Sequence, residues 1–151
     1  MPVIKHKQFI HAPIELCFDL ARNVDVHMET TAETKEKAIG GVTKGLLEKG
    51  DIVTWEATHF GIKQRLTAKV IHMEKHTVFV DVMVKGAFKC FTHTHQFEEK
   101  KDGTVMIDIF DYKSPFGPIG FIADKLFLEK YMRDFIISRG KELTRIAESA
   151  N

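Results

Sequence analysis

Through the middle of this chain polar and apolar residues alternate, and near its end the period lengthens to that of a helix. In a strand from Ile52 to Phe60, Val53, Trp55, Ala57 and His59 share one face, while Thr54, Glu56 and Thr58 share the other. Gly61 permits a tight turn after it. With Gly61 and Ile62 at its centre, Trp55 stands opposite Ala68, Ala57 opposite Leu66, and His59 opposite Gln64. Arg65, Thr67 and Lys69 then point to water, which makes the sheet one-sided.

From Thr77 to Lys85 both faces are largely apolar. Val78, Val80, Val82 and Val84 form the cleaner core face, and Phe79, Asp81 and Met83 the other. A bulge near Gly86 would reverse them, so the facing of Asp81 stays open. The next strand alternates strictly: Phe91, His93, His95 and Phe97 against Thr92, Thr94, Gln96 and Glu98. Asp102-Gly103 signals a hairpin, and the returning strand puts Met106, Asp108, Phe110 and Tyr112 on one face. Two registers fit. One sets His95 opposite Asp108 and Phe91 opposite Tyr112; the other sets His93 opposite Tyr112.

Val3 to His11 reads as a first strand. Ala12-Pro13 opens a helix, since proline suits a first helical turn, with Ile14, Cys17, Phe18 and Ala21 on its apolar face. Asn23 to Glu33 is a second short helix, followed by a short strand around Ala38 to Gly41. The prolines of Ser114-Pro115-Phe116-Gly117-Pro118 end the last strand. From about Ile119 to Ser149 the pattern is one amphipathic helix with Leu128, Met132, Phe135, Leu143 and Ile146 near one face. Gly140 is a weak point within it, costing on the order of 1 kcal/mol relative to alanine.

This order of elements predicts an α+β helix-grip fold. A curved antiparallel sheet of about seven strands wraps a long C-terminal helix, with two short helices after the first strand. Residues 1–151 are expected to form one domain, as no repeat or linker interrupts them. The chain resembles the START-like (SRPBCC) superfamily of Bet v 1-type proteins, polyketide cyclases and aromatases, and lipid-transfer domains. Ala12-Pro13-Ile14-Glu15 with Phe18 looks like that superfamily's first helix. Two further stretches resemble a bacterial ligand-binding subgroup with polyketide cyclase/dehydrase-type members. One is Phe79-x-Asp81-x-Met83-x-x-Gly86-x-Phe88 with His93-x-His95-x-Phe97. The other is Gly103-Thr104-x-Met106-x-Asp108 with Tyr112-x-x-Pro115-Phe116-Gly117. The resemblance implies a hollow between sheet and helix that binds small molecules.

Charge narrows the partners. With 22 basic and 21 acidic residues and no long basic run, nucleic acid is not an implied partner. The apolar stretches fall short of the roughly 20 residues that span a bilayer, so stable membrane insertion is not expected. The start, Met1 to Lys7, lacks a signal-peptide pattern. Cys17 and Cys90 form no Cys-x-x-Cys pair. Both observations predict a cytoplasmic protein with reduced thiols. No cofactor motif is present. The polar outer face of Thr92, Thr94 and Gln96 suits a monomer or a homodimer with a small interface.

The chemistry-bearing residues sit on the inward faces: Trp55, His59, Gln64, Phe91, His93, His95, Asp108, Phe110, Tyr112 and, from the helix, Met132. Buried polar groups must meet each other, water or a ligand. The favoured reading is a polar ladder that orients a small, largely hydrophobic ligand, in a carrier or sensor. In the enzyme alternative, His95 and Asp108 are the acid–base groups of a cyclase- or dehydratase-like reaction. A third class, a protein-interaction module, predicts an exposed apolar patch and no open cavity. His93 and His95 are also metal candidates: two apart on a strand, side chains roughly 7 Å apart, with Asp108 or Asp81 as a third ligand. His27 reads as a solvated helix histidine, and Lys35 to Lys37 as a solvated loop.

Overall fold

The computed structural model describes residues 2–150, apart from the side chain of Phe121. Five consecutive strands joined by short connections build most of the sheet: β3 (Ile52–His59), β4 (Ile62–Glu74), β5 (Val78–Lys85), β6 (Cys90–Lys100) and β7 (Gly103–Lys113). β2 (Lys37–Gly41) extends one edge beside β3, and β1 (Val3–Ile10) forms the other beside β7, giving seven antiparallel strands in the order β1-β7-β6-β5-β4-β3-β2. α1 (Ile14–Ala21) and α2 (Val24–Thr30) follow β1. The chain closes with α3 (Gly117–Ala123), a π-helical turn at 124–128, and α4 (Glu129–Ala150). The fold is the α+β helix grip. Among the described residues no helix is long and apolar enough to cross a membrane.

Of the two β6–β7 registers, the structure adopts the one that sets His95 opposite Asp108 and Phe91 opposite Tyr112. The β3–β4 hairpin differs from expectation. Phe60 and Gly61, both at positive φ (53° and 74°), form its two-residue turn, so Trp55 faces Leu66, Ala57 faces Gln64 and His59 faces Ile62. Two positive φ values are what a type I′ turn needs to match strand twist. The displacement spans two residues, so every side chain keeps its expected face. At β6–β7 the loop residues are Lys101 and Asp102, because Lys100 pairs with Gly103.

The inward face of β5 is the one carrying Phe79 and Asp81, not the valine face. Phe79 is buried, whereas Val84 is exposed on the outer face. β-branched residues suit a pleated strand even against solvent. On the inner side Asp81 finds a partner in His95, which offsets the cost of burying it.

The C-terminal helix grips the sheet through Ile136, Gly140, Leu143 and Ala147, all buried. A Cβ on Gly140 would lie 2.9 Å from Gln8 Oε1, and Gln8 Nε2 donates to the Gly140 carbonyl at 3.0 Å. Glycine therefore lets the helix approach β1. Gly103 is also set by contact: its Cβ would meet the Ile10 carbonyl oxygen at 2.2 Å. These obstacles differ in softness. Gly140→Ala displaces only a side-chain end, and about 1 kcal/mol of helix propensity offsets the weakened hydrogen bond, so its stability should stay within about 1 kcal/mol of the parent. Gly103→Ala presses on backbone and should cost about 1–3 kcal/mol. Urea unfolding of the two variants measures this; equal losses would refute the distinction.

Candidate functional site

Four polar side chains meet on the concave face of β5, β6 and β7. Asp81 stands opposite His93, and His95 opposite Asp108. The contacts run directly and diagonally across the strands. His95 Nε2 lies 2.9 Å from Asp81 Oδ1, His95 Nδ1 3.2 Å from Asp108 Oδ1, and His93 Nε2 3.1 Å from the same oxygen. Each histidine thus has a nitrogen within hydrogen-bonding reach of a carboxylate. The two rings stack with centroids 3.9 Å apart, much closer than two independent strand side chains, and Phe79 stacks on the far side of His95 at 4.1 Å. Asp108 and His95 are buried.

This crowding sets the protonation states. Burial works against ionisation of Asp108, but hydrogen bonds and charge from His93 and His95 outweigh it and hold the carboxyl far below the usual range. Asp81 is lowered in the same way, by His95 first. Burial also disfavours charge on His95, yet the two carboxylates raise its pKa. His93 is lowered, by burial and then by its charged neighbour His95. The network holds two carboxylates, an imidazolium-favouring His95 and a neutral-favouring His93.

A second polar group lies towards α2 and α4. His27 stacks on Trp55 at 4.0 Å, and its Nε2 lies 3.0 Å from Glu36 Oε1. Neither is solvated: the His27 and Glu36 side chains are 17% and 9% exposed. Glu36 looked like part of a charged loop because Lys35 and Lys37 flank it, but just before β2 its side chain turns inward onto His27. His59 Nδ1 lies 2.6 Å from the Tyr131 hydroxyl, joining β3 to α4. Burial lowers the pKa of both His27 and His59, so both imidazoles favour the neutral form.

Two cavities flank these groups. A large one, of about 570 Å³, lies between the Phe60–Gly61 turn, the Ser114–Phe116 loop and the helix. Phe88, Phe116, Phe127, Leu128, Met132 and Phe135 supply most of its wall, with Glu36, His59, Gln64 and Tyr131 as polar members. A small one, of about 60 Å³, is bordered by Trp55, Asp81, His95 and Arg139. The Nε atom of Arg139 is buried without a hydrogen-bond partner among the described residues.

The expected residues therefore separate. His59, Gln64 and Met132 border the large cavity; Trp55 and His95 border the small one. Phe91, Phe110 and Tyr112 belong to a core cluster with Ile4 and Ile136. The Tyr112 hydroxyl donates to Asp124 Oδ1 at 2.5 Å and anchors the π turn. His93 and Asp108 border neither cavity. Tyr131, Glu36 and Arg139 were missed. Helical spacing offered a signal for Tyr131, which is three residues from Leu128 and four from Phe135.

No family model and no curated protein matches this chain in sequence. Solved structures match in fold. TTHA0849 from Thermus thermophilus superposes with a TM-score of 0.81 at 20% identity over 99% of both chains. The major latex-like protein 151 of Panax ginseng gives 0.67 at 13% identity over 97% of both. The di-domain ARO/CYC StfQ of the steffimycin biosynthetic pathway gives 0.76 at 10% identity, over 98% of this chain and 51% of that one.

Proposed function

We propose that this chain, with the helix-grip fold of START-like proteins, is a cytoplasmic carrier or sensor binding a small, largely hydrophobic ligand between its sheet and C-terminal helix. One observation carries the reading: the 570 Å³ cavity with predominantly apolar walls. That volume lies within the roughly 300–1,000 Å³ range of small-molecule sites. Burial against Phe88, Leu128, Met132 and Phe135 supplies affinity at about 25 cal/mol per Å² of apolar surface removed from water. Orientation comes from the polar members. The His59–Tyr131 pair and Glu36 together offer donors and an acceptor to one polar end of the ligand.

The cyclase-like alternative draws less support. His95 and Asp108 are absent from the wall of the large cavity, and the small one beside His95 has room for only about two waters. The interaction-module reading gains one observation. Phe116, Ile119, Ile122 and Leu126 stand exposed beside the large cavity, Phe116 at 81%, and such a patch favours contact with another apolar surface.

Met132→Trp puts an indole into the cavity and should weaken binding of a neutral apolar fluorescent probe such as N-phenyl-1-naphthylamine by about 100-fold, with the fold retained by circular dichroism. Native mass spectrometry before and after organic extraction identifies what the purified protein carries. Unchanged probe affinity in the folded variant would reject this cavity as the binding site.

A further inference from the structure

The geometry points to a binding site for one divalent transition-metal ion of the zinc class, held by Asp81, His93 and His95 and oriented by Asp108. The three ligating groups lie within 4.8 Å of one another on the concave face of the sheet. Two protein ligands on one tetrahedral Zn²⁺ stand about 3.3 Å apart, given bonds of about 2.0–2.1 Å. The observed 2.9 Å between His95 Nε2 and Asp81 Oδ1 is already close to that separation. The remaining ligand atoms, within 4.8 Å of one another, would be drawn in as the His93 ring turns out of its stack on His95.

Asp108 gives the cluster its direction. Its Oδ1 lies 3.2 Å from His95 Nδ1 and 3.1 Å from His93 Nε2, behind the nitrogens that would take the ion. His95 Nε2, 2.9 Å from Asp81 Oδ1, then faces the ion, and His93 would offer it its other nitrogen. A carboxylate behind a ligating imidazole fixes its tautomer and makes it a better donor. Here one carboxylate would serve two imidazoles. The charges also balance: Asp81 and Asp108 carry two negative charges, and a divalent cation with two neutral imidazoles cancels them.

The site has an open side. Asp81 and His95 border the small cavity, which has room for about two waters, so a fourth position falls to solvent or an anion. Arg139, with its unpartnered buried Nε, borders the same cavity and can donate to that fourth ligand. Three protein ligands with one exchangeable position is the arrangement of reactive rather than purely structural zinc sites.

The test uses the full chain after chelator treatment and dialysis, titrated with Zn²⁺ by calorimetry and with Co²⁺ by visible absorption. The expected results are one ion per chain and intense tetrahedral Co²⁺ bands. Asp81→Asn and His95→Gln should each weaken Zn²⁺ binding at least 100-fold, and Asp108→Asn about 10–100-fold. If His95→Gln fails to fold, Asp81→Asn alone decides. The absence of saturable Zn²⁺ and Co²⁺ binding by the parent chain would overturn the assignment. So would undiminished binding by folded Asp81→Asn.

Discussion

Asp108→Ala is expected to lower the unfolding free energy of the metal-free protein by about 3–5 kcal/mol. The carboxylate is buried and shared by His93 Nε2 and His95 Nδ1. Removing it leaves two stacked imidazoles with one remaining acid, Asp81, which reaches only His95. Neither ring is free to turn towards a new partner, since His93 and His95 are packed between Phe79 and Phe110. The loss is mostly the cost of stranding polar groups. Removing the whole network should therefore hurt less than removing its centre: a variant with all four positions apolar and volume-matched should recover part of the loss. Chemical denaturation in the presence of a chelator measures both. A loss below about 1 kcal/mol for Asp108→Ala would contradict the description of the network as interdependent.

The second large effect is with acid. His27, His59 and His93 have folded pKa values below the ordinary 6.5. The unfolded chain takes up protons there that the fold refuses, so stability falls as pH drops below about 6.5. His95 acts oppositely: its raised pKa adds stability that is fully present below 6.5 and is lost as pH rises through its folded value. Below 6.5 His95 adds no slope, so the three lowered histidines set its sign there. Below about 4.5 a second decline begins, because Glu36, Asp81 and Asp108 all have lowered folded values and their contribution disappears as they are protonated. Unfolding midpoints of chelator-treated protein between pH 8 and pH 4 should show a maximum near neutrality and a steepening fall on the acid side. A flat profile down to pH 4.5 would contradict the assigned directions.

What could be read in advance follows from how local each signal is. β6 and β7 were legible because strict alternation allows few pairings, and the register that sets His95 opposite Asp108 was one of two. β5 was misread because its valines are more apolar than Phe79, Asp81 and Met83 taken together. Only the partners on β6 make Asp81 an inward residue, and they are more than ten positions away in sequence. Glu36 was hidden for the same reason: its partner His27 belongs to α2, while its own neighbours are lysines. The His-x-His pair was legible as a pair. Its 3.9 Å stacking was not, because sheet curvature and the flanking phenylalanines bring the rings together. Periodicity along one element sets which residues share a face; side-chain partners across elements decide what that face does.

The π turn at 124–128 explains the exposed surface beside the large cavity. Carrying the stripe of Ile136, Gly140, Leu143 and Ala147 backwards at about 100° per residue leads through Met132 and Glu129 to positions near Leu126, Ile122 and Ile119. A π turn holds one residue more than an α turn, so everything before it is out of phase by that one residue. Asp124 and Gly120 take the inward direction instead, and both are buried, while Ile119, Ile122 and Leu126 swing to the outside. Asp124, caught by the Tyr112 hydroxyl, keeps the phase from reverting. Length and rotation are thus coupled in this segment. Removing a single residue there would turn α3 like a dial rather than shorten it, bringing its isoleucines round to the sheet and closing over the space where a ligand would sit.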